Sequence, residues 1–459
     1  MGNPLLVPEF REMLAADDRA GLQTVCAAAH PGHIAEFLAA LSPEEIRDVL
    51  SRIEPALAAD IFHHLEDHTQ VAVAEAMSRQ ELARLVTHMG SDDRVDLLKR
   101  MPENRQDALL SALATAERED IRRLASYPER TAGAVMTTDY ATLAPDLTAE
   151  QAIARLRREA PDKETIYYCY VVDESRRLLG FVSLKDLILA PPERRVADLM
   201  HTDVISIGAS EDQETAARLI SKYDLIALPV VNDQGVLVGI ITHDDAMEVL
   251  AQEQTEDIEK LMAIGGGHEV GTYLRTSPWA HFKSRVLWIV VLAALGLVSG
   301  AVVQHFEATL SSLVILAFYM PMLADTGGNT GSQSATVVIR ALALGEVRTA
   351  DALRVLGKEL QVATLLAMVL FAFTLARVFL VSQGADLPAG LTLSSVGLTI
   401  AIALALQVVT ATLIGAALPL VAAALRCDPA VVASPALTTI VDITGLLLYF
   451  TLARLMLGL

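Results

Sequence analysis

The sequence contains little cysteine and none of the short motifs that mark common enzyme classes. Its cysteines, Cys26, Cys169 and Cys427, are widely separated, and no CxxC pair occurs. We therefore expect neither a disulfide framework nor a zinc site. The chain also lacks a GxxxxGK[ST] loop, a GxSxG turn and an HExxH helix. Since nucleotide hydrolysis and proteolysis commonly use these motifs, we expect a protein that is not an enzyme.

The N-terminal half lacks a secretory signal and carries most of the charge. Its first residues, MGNPLLVPEFREMLAADD, have neither a basic start nor an apolar stretch, so we expect this half to stay in the cytoplasm. The net charge is −20, and residues 286–459 are nearly neutral, so the first 285 residues are strongly acidic. Such a charge argues against nucleic acid as a partner and favours cations, or serves solubility alone.

The C-terminal part reads as a membrane domain. The chain is 53% hydrophobic with a mean hydropathy of +0.40, which suits a soluble part joined to a membrane part. We predict a transmembrane domain over 276–459 with five helices, at about 285–306, 310–340, 360–381, 393–420 and 434–457. Basic residues concentrate before the first span and in the loops after the second and fourth. The N-terminus is therefore predicted to be cytoplasmic and the C-terminus outside, in a multi-pass inner-membrane protein.

Residues 1–128 are predicted to form an all-α domain of short helices. In LSPEEIRDVLSRI, Ser42 is a helix N-cap and Glu45 completes a capping box, and Ser78 and Glu81 repeat this pattern. Another short helix is predicted in SDDRVDLLKRM. Short amphipathic helices at similar spacing suggest a superhelical array.

Residues 129–250 contain an internal repeat, over 129–195 and 196–250. Each copy reads as strand, helix, strand, turn, strand and helix, with VVD and VVND as buried strands. This α/β pair resembles the CBS domains of regulatory proteins. In that family an S/T-x-x-D motif often contacts the ribose of adenosine, and the matching residues are Ser183 and Asp186, and Thr242 and Asp245. The resemblance implies ATP as a possible ligand, whereas the same motifs are equally suited to capping helices.

An acidic helix connects the repeat to the membrane part. Over 251–275 the sequence predicts a connecting helix that ends in three glycines, which permit a hinge. The acidic residues of this helix and of the turn before it are Glu248, Glu253, Glu256, Asp257 and Glu259.

Polar residues inside the predicted spans suggest an ion path. The stretch PMLADTGGNTGSQSATVVIR holds Asp325, Asn329 and Gln333, and the final span holds Asp442 with Thr438 one turn before it. Charged groups inside lipid are costly and usually functional. We expect Pro321 and the glycines to break the helix and expose carbonyls to a cavity. The alternatives are close helix packing through the glycines and an ion pair between Asp442 and Arg377.

The available ligands in this path are oxygen atoms, which suit a hard cation such as Mg²⁺ or Ca²⁺. One carboxylate per chain makes a sparse site, which a symmetric dimer would double. Together with the domain order, the motifs PMLADTGGNTGSQSATVVIRALA, EQTEDIEKL and DPAVVASPALTTIVDITGLLLYF resemble the MgtE family of magnesium transporters. The resemblance implies a homodimer with a Mg²⁺ pore between its subunits, Asp442 as ion ligand, Asn329 and Gln333 beside it, and the Thr438 carbonyl nearby.

The same resemblance gives the acidic residues a regulatory role. It implies that internal Mg²⁺ bridges the cytoplasmic domains and closes the pore. The matching residues are Asp92, Asp93, Asp96, Asp212, Asp224, Asp245, Glu248, Glu253, Glu256 and Asp257. Asp325 and Ser434 depart from the family pattern. Alternatives are a broader transporter of Co²⁺, Mn²⁺ or Ni²⁺, and a CBS-regulated receptor or scaffold whose spans only anchor it.

Overall fold

The computed structural model describes residues 4–265, 273, 276–384, 387–388, 390–432 and 434–458. The chain divides into two compact units, Met1–Ala251 and Gln252–Leu459. The predicted connecting segment 251–275 is described up to residue 265 and at residue 273. Its residues 266–272 and 274–275 lie outside the described part. The predicted domain limits 1–128, 129–250, 251–275 and 276–459 stay predictions.

The first unit begins with an array of short helices. In the described residues these are α1 (Val7–Ala15), α2 (Arg19–Ala27), α3 (Pro31–Leu38), α4 (Pro43–Leu50), α5 (Pro55–His63), α6 (Asp67–Ala76), α7 (Arg79–Thr87), α8 (Ser91–Arg100), α9 (Glu103–Leu110) and α10 (Thr115–Ala125). From α3 to α8, each helix packs against the helix two places further along the chain. This stepwise packing makes a superhelical array, as the sequence predicted.

Both predicted capping boxes are present. The Ser42 hydroxyl accepts a hydrogen bond from the Glu45 N–H (3.2 Å), and the Glu45 carboxylate accepts one from the Ser42 N–H (2.9 Å). Ser78 and Glu81 exchange the same pair of bonds at the start of α7. These bonds satisfy N–H groups that have no partner within the helix, so local sequence sets where α4 and α7 begin.

Two α/β repeats follow in the same unit. The first holds β1 (Tyr140–Leu143), α11 (Ala149–Glu159), β2 (Thr165–Val172), β3 (Leu178–Ser183) and α12 (Leu184–Leu189), and α13 (Val196–Leu199) leads to the second. The second holds β4 (Ile207–Gly208), α14 (Gln213–Tyr223), β5 (Ala227–Val231), β6 (Leu237–Thr242) and α15 (His243–Leu261). In each sheet the first strand is parallel to the second, which is antiparallel to the third. The predicted element order is confirmed.

The helical array and the second repeat share one hydrophobic core. Phe62 of α5 and Val86 of α7 belong to the same buried cluster as Leu228 of β5 and Ile241 of β6. The first repeat packs a separate core around Val171. Because a continuous core joins the array to the second repeat, residues at their boundary are held in defined positions.

The second unit is built from long helices. These are α16 (Pro278–His305), α17 (Glu307–Ser312), α18 (Met320–Ala343), α19 (Ala352–Val381), α20 (Leu393–Ala424) and α21 (Ser434–Leu457). Among the described residues, four segments are long and apolar enough to cross a membrane: Pro278–His305, Thr349–Val381, Leu393–Ala424 and Ala436–Leu457. Helix α18 has 24 residues, which gives it about 36 Å of length, but it is more polar. That α18 is a membrane span in addition to these four therefore stays a prediction.

The predicted span 310–340 is not one helix. Helix α17 ends before Leu313, whose φ of −144° and ψ of 81° are not helical, and a 3₁₀ helix over Val314–Tyr319 leads into α18. Pro321 lies in the first turn of α18, where its missing N–H costs no helical hydrogen bond. The predicted break at Pro321 and the glycines is therefore wrong, because the helix is interrupted earlier and then continues to Ala343.

Candidate ion-binding sites

The glycines of α18 bring three helices into close contact. A Cβ on Gly328 would lie 3.1 Å from Thr438 Cγ2 of α21, and one on Gly331 would lie 3.2 Å from the Ala411 carbonyl oxygen of α20. On α20, a Cβ on Gly415 would overlap the Gly331 carbonyl. Side chains at these positions would force the helices apart, so the glycines serve close packing. This was the alternative that the sequence had left open.

The predicted polar residues of α18 lie on the face away from these glycines. Asp325, Asn329 and Gln333 follow one another at intervals of four residues, and all three are exposed in the single chain. Asn329 Nδ2 donates a hydrogen bond to Asp325 Oδ1 (3.2 Å). The helix therefore presents a continuous polar stripe, which we call the α18 stripe.

Asp442 has no neutralising partner among the described residues. Its Oδ1 is buried and accepts no hydrogen bond there. Arg377, the alternative partner, stacks over the Tyr319 ring at 4.6 Å and donates to Met322 Sδ at 3.8 Å. Thr438 lies one turn before Asp442 and faces α18. The structure therefore offers no support for the ion pair with Arg377.

Two polar residues of the membrane unit were not singled out from the sequence. Gln407 of α20 is fully buried, and its Nε2 donates to the carbonyl oxygen of Val441, the residue before Asp442 (3.0 Å). Glu359 of α19 accepts a hydrogen bond from the buried Ser334 hydroxyl of α18 (2.8 Å). Gln407 could have been predicted as a functional residue, because it is a single glutamine within an otherwise apolar helix.

In the first unit, the start of α8 contacts the loop before β1. Ser91 donates its N–H to Asp139 Oδ2 (3.1 Å), and its hydroxyl accepts a bond from the Thr138 N–H (2.7 Å). The same hydroxyl lies 2.9 Å from that of Thr137. Asp92 and Asp93 occupy the first turn of α8. These contacts hold the acidic end of α8 against the α/β repeats.

Carboxylates from both sides meet at this boundary, which we call the acidic cluster. Burial raises the pKa of Asp92, and the charges of Asp245 and Glu164 raise it further. Burial and the charge of Asp245 raise the pKa of Glu164 to about 7. Burial raises the pKa of Asp245 to about 6, against the hydrogen bond from Thr242, and burial also raises the pKa of Glu248. These carboxylates therefore repel one another in a partly buried site.

The acidic cluster gathers some predicted residues and adds others. It brings together Asp92, Asp93, Asp245 and Glu248, and Asp96 lies near it, with a pKa that is raised by burial. Glu164 was not predicted, because no sequence pattern links it to α8. One histidine offsets part of the charge, since His63 Nδ1 lies 2.9 Å from Asp93 Oδ2 and this hydrogen bond raises the pKa of His63 to about 9.

Two predicted sensor residues have local roles. Asp212 is the N-cap of α14 and accepts hydrogen bonds from the N–H groups of Glu214 (2.9 Å) and Thr215 (3.4 Å). Asp224 follows the same helix with a φ of 51°, the left-handed conformation that often ends a helix. Across the described ranges, no group of three His, Cys, Asp or Glu side chains is arranged to hold a metal ion.

The two S/T-x-x-D motifs have different surroundings. Ser183 accepts a bond from the Asp186 N–H (3.0 Å) and donates to Asp186 Oδ2 (2.6 Å), and this second bond lowers the pKa of Asp186. His201 Nε2 lies 3.4 Å from the same oxygen. The Thr242 hydroxyl likewise bonds to Asp245, but Asp245 also faces the acidic cluster. The first motif therefore caps α12, and Asp186 lies apart from the acidic cluster.

In the second unit, the connecting helix α15 contacts the loop before α21. Lys260 Nζ lies 2.8 Å from Glu256 Oε1 and 2.7 Å from Asp428 Oδ2. Burial by itself lowers the pKa of Lys260, but these two carboxylates raise it overall. Glu253 and Asp257 lie on the same helix. The sequence did not reveal this lysine contact, because 168 residues separate Lys260 from Asp428.

Family comparisons cover most of the chain. The MgtE model, described as a divalent cation transporter, matches residues 320–452, and the MgtE intracellular N domain matches 29–130. The CBS domain model matches 132–193 and 196–252. The magnesium transporter MgtE of Thermus thermophilus is 38% identical over 455 residues, which are 98% of each chain.

Two solved structures are similar to about half of the chain. The soluble part of a magnesium transporter is 31% identical, covers 54% of this chain and 97% of its own, and has a TM-score of 0.52. The cytosolic domain of the Mg²⁺ channel MgtE in complex with ATP is 37% identical, covers 52% of this chain and 98% of its own, and has a TM-score of 0.49. The near full-length similarity and the three matching domain models show that this chain belongs to the MgtE family of divalent cation transporters.

Proposed function

We propose that this membrane protein imports Mg²⁺ through a pore whose ion-binding group is the Asp442 carboxylate. The observation that carries the proposal is the buried Asp442 oxygen, which accepts no hydrogen bond from the described residues of an apolar helix unit. A carboxylate at such a site is costly unless a cation or water reaches it. Mg²⁺ suits it because this ion keeps several of its waters and binds through one or two carboxylates. The named relatives are magnesium transporters.

The α18 stripe supports a homodimer. Asp325, Asn329 and Gln333 are exposed in the single chain, and a membrane helix cannot turn such a stripe to lipid without a large cost. A second copy would cover it and bring two Asp442 carboxylates to one path. In this arrangement Asn329, Gln333, Asp325 and the Thr438 carbonyl would contact the waters of the ion.

We assign the orientation and the span count to the same proposal. Helix α18 would be the second of five spans in chain order. Its glycine face packs against α20 and α21, and the partner subunit would cover its polar stripe. An odd number of spans would put the two termini on opposite sides of the membrane, and the distribution of basic residues favours a cytoplasmic N-terminus and a C-terminus outside. The protein would reside in the inner membrane and act as a transporter without enzymatic activity.

The acidic cluster would sense internal Mg²⁺. Repulsion among Asp92, Asp245 and Glu164 weakens the docking of α8, and a divalent ion would remove that repulsion. Asp93, Asp96 and Glu248 would contribute there. The other predicted sensor residues, Asp212, Asp224, Glu253, Glu256 and Asp257, would act along α14 and the connecting helix.

An adenine nucleotide would bind near the first S/T-x-x-D motif. Asp186 is ionised and partly exposed, so its carboxylate can accept hydrogen bonds from ribose hydroxyls. Ser183 holds that carboxylate in place. The matching pair, Thr242 and Asp245, would contribute less, because Asp245 is also part of the acidic cluster.

The test is Mg²⁺ flux into proteoliposomes at low internal Mg²⁺. We expect flux in the wild type and none in Asp442→Ala or Asp442→Asn. Glu346→Gln removes an exposed loop carboxylate of the same unit and should transport normally. Equal flux in Asp442→Ala would refute the proposed site. Competition by Co²⁺, Mn²⁺ and Ni²⁺ would separate a selective from a broad transporter, and absence of any flux would favour a receptor or scaffold.

The regulatory part has its own test. In the double variant Glu256→Gln, Asp257→Asn, we expect transport to continue at high internal Mg²⁺. Neutral side chains at these positions can no longer be bridged by the ion, so the closed state loses its stabilisation. Inhibition by Mg²⁺ that is the same as in the wild type would rule out a role for the connecting helix as sensor.

A further inference from the structure

We propose that Gln407 of α20 is the residue that positions Asp442 for Mg²⁺, and this inference rests on the proposed function. Gln407 is fully buried near the middle of an apolar helix, where a polar side chain is costly. Its Nε2 donates a hydrogen bond to the carbonyl oxygen of Val441 (3.0 Å). That carbonyl belongs to the same planar peptide group as the N–H of Asp442. A bond to it therefore fixes the backbone from which the Asp442 side chain projects.

Two glycines on two other helices make room for this amide. A Cβ on Gly445 of α21 would lie 2.5 Å from Gln407 Cδ and 2.7 Å from its Oε1. A Cβ on Gly327 of α18 would overlap Gln407 Nε2 and lie 3.1 Å from Val441 Cγ1. Any larger residue at either position would displace the amide, so three helices together form its pocket.

Among the described residues, the hydrogen bond from Gln407 is one of two that side chains make to the same carbonyl. The Thr444 hydroxyl also bonds to Val441 O (3.1 Å), from within α21. Gln407 supplies the bond that comes from another helix, so it fixes the level of Asp442 relative to α20. Because Gln407 lies near the middle of α20, this contact places the carboxylate deep within the membrane unit.

The Oε1 of Gln407 is the other notable feature of the pocket. It is buried and has no hydrogen-bond partner among the described residues, as is also the case for Asp442 Oδ1. An amide that served only to join helices would be expected to use both of its polar atoms. Here the donor alone is used, and it is directed to the backbone next to Asp442.

The test compares Mg²⁺ uptake by the full-length protein in proteoliposomes with Gln407→Met, which keeps the length of the side chain but has no donor. We expect the half-saturating Mg²⁺ concentration to rise about 2- to 10-fold, the range set by one hydrogen bond, and the ratio of Mg²⁺ to Ca²⁺ flux to fall. The matched control is Thr412→Val. Thr412 is a buried polar residue of the same helix whose hydroxyl bonds only to its own helix, at Val408 O (2.7 Å). It should leave both quantities unchanged.

The variant Gln407→Glu tests the donor directly. A neutral glutamic acid can donate to Val441 O, whereas a carboxylate cannot. After division by the wild-type values at each pH, we expect uptake close to that of the wild type wherever the introduced carboxyl is protonated, and lower uptake wherever it is ionised. If Gln407→Met does not fold, this pH comparison decides the question.

The outcomes separate this inference from the proposed function. Wild-type half-saturation and selectivity in folded Gln407→Met, an equal change in Thr412→Val, or uptake below the wild-type level in Gln407→Glu even at the lowest pH would overturn the role of Gln407 alone. Flux that persists in Asp442→Ala, measured in the same assay, would refute the proposed pore site, whatever the Gln407 variants do.

Discussion

The membrane unit and the acidic cluster handle carboxylates in opposite ways. At Asp442 a single carboxylate lies among helices that touch backbone to backbone, through Gly331 and Gly415. In the acidic cluster several carboxylates meet, and they raise one another's pKa. The first site is held by packing that does not depend on charge, while the second is weakened by its own charge. Packing suits a path that must keep its dimensions, and repulsion suits an element that must respond to ions.

The two sites also differ in how far their structure depends on a bound ion. Packed interiors are not continuously deformable, so the geometry around Asp442 is present without any ion. The docking of α8 depends instead on the protonation or neutralisation of its carboxylates. A change of ion concentration should therefore alter the cluster and leave the helix packing unchanged.

The largest effect is expected from Gly415→Ala, which tests the close helix packing of the membrane unit. Its Cβ would overlap the Gly331 carbonyl, and backbone atoms cannot move aside as a flexible side chain can. We expect a loss of about 1–3 kcal/mol in stability, measured as a lower melting temperature in detergent, together with a loss of Mg²⁺ flux. Gly357→Ala on α19 is the control, since its Cβ would meet nothing within 4 Å. Equal melting temperatures in both variants would contradict the close contact between Gly415 and Gly331.

The glycines also show where sequence reasoning succeeded and failed. Capping boxes at Ser42 and Ser78 and the strand order of the repeats were predicted, because these patterns are local. The glycines of α18 were predicted to break the helix. A glycine that breaks a helix and one that lets a neighbour approach look alike in one chain, and only the facing Gly415 distinguishes them.

Site residues were predictable when they were exceptional in their own segment. Asp442 stood out as the only acid of the final apolar span, and the structure leaves it unpartnered among the described residues. Glu164 and Lys260 did not stand out, since each lies in an ordinary polar segment and gains its meaning from a residue distant in sequence. Gln407 was visible but was not interpreted, because its partner is a backbone carbonyl.

Glu164→Gln tests whether repulsion within the acidic cluster weakens the docking of α8. Removing this charge lowers the repulsion on Asp92 and Asp245, so the docking of α8 should be stabilised without Mg²⁺. We expect amide exchange of α8 to slow roughly 10-fold in the absence of Mg²⁺, as one pKa unit would give. Hydrogen–deuterium exchange of the full chain measures this. Glu150→Gln, an exposed acid of α11, should have no effect, and unchanged exchange in Glu164→Gln would remove Glu164 from the cluster.

A pH change should reproduce the effect in the wild-type chain. In the docked state the pKa of Glu164 is raised from 4.5 to about 7 and that of Asp245 from 3.8 to about 6. Raised carboxyl pKa values favour the docked state at low pH, and this contribution is lost as the pH rises through 6 to 7. The pairing of His63 with Asp93 has the same sign and is lost as the pH rises through about 9.

Without Mg²⁺, α8 should therefore exchange more slowly at about pH 5.5 than at about pH 8, after correction for the intrinsic exchange rates. Saturating Mg²⁺ should reduce this difference, because the ion replaces the protons. Exchange of α20 should show no such dependence on Mg²⁺ at either pH. If α8 and α20 respond alike, the contrast between a responsive cluster and a packed membrane unit is wrong.

The smallest expected effect concerns Lys260, a charged residue in a contact that needs no bound ion. Its ammonium acts as a fixed cation between Glu256 of the connecting helix and Asp428 of the loop before α21. Lys260→Met keeps most of the stem but leaves the two carboxylates facing each other, so more internal Mg²⁺ should be needed for closure. The half-inhibitory Mg²⁺ concentration should rise by no more than about 5-fold, because a partly exposed ion pair contributes about 0–1 kcal/mol.

A double-mutant cycle isolates this contact from the general loss of charge. Lys260→Met and Asp428→Asn should together shift the half-inhibitory concentration by less than the combined effect of the single changes, since both remove the same ion pair. Lys185→Met, an exposed lysine of α12, should leave inhibition unchanged. Strictly additive shifts would mean that Lys260 and Asp428 act separately. Coupled shifts would mean that a built-in cation already holds part of the connecting helix, so that Mg²⁺ completes a closure that the chain itself begins.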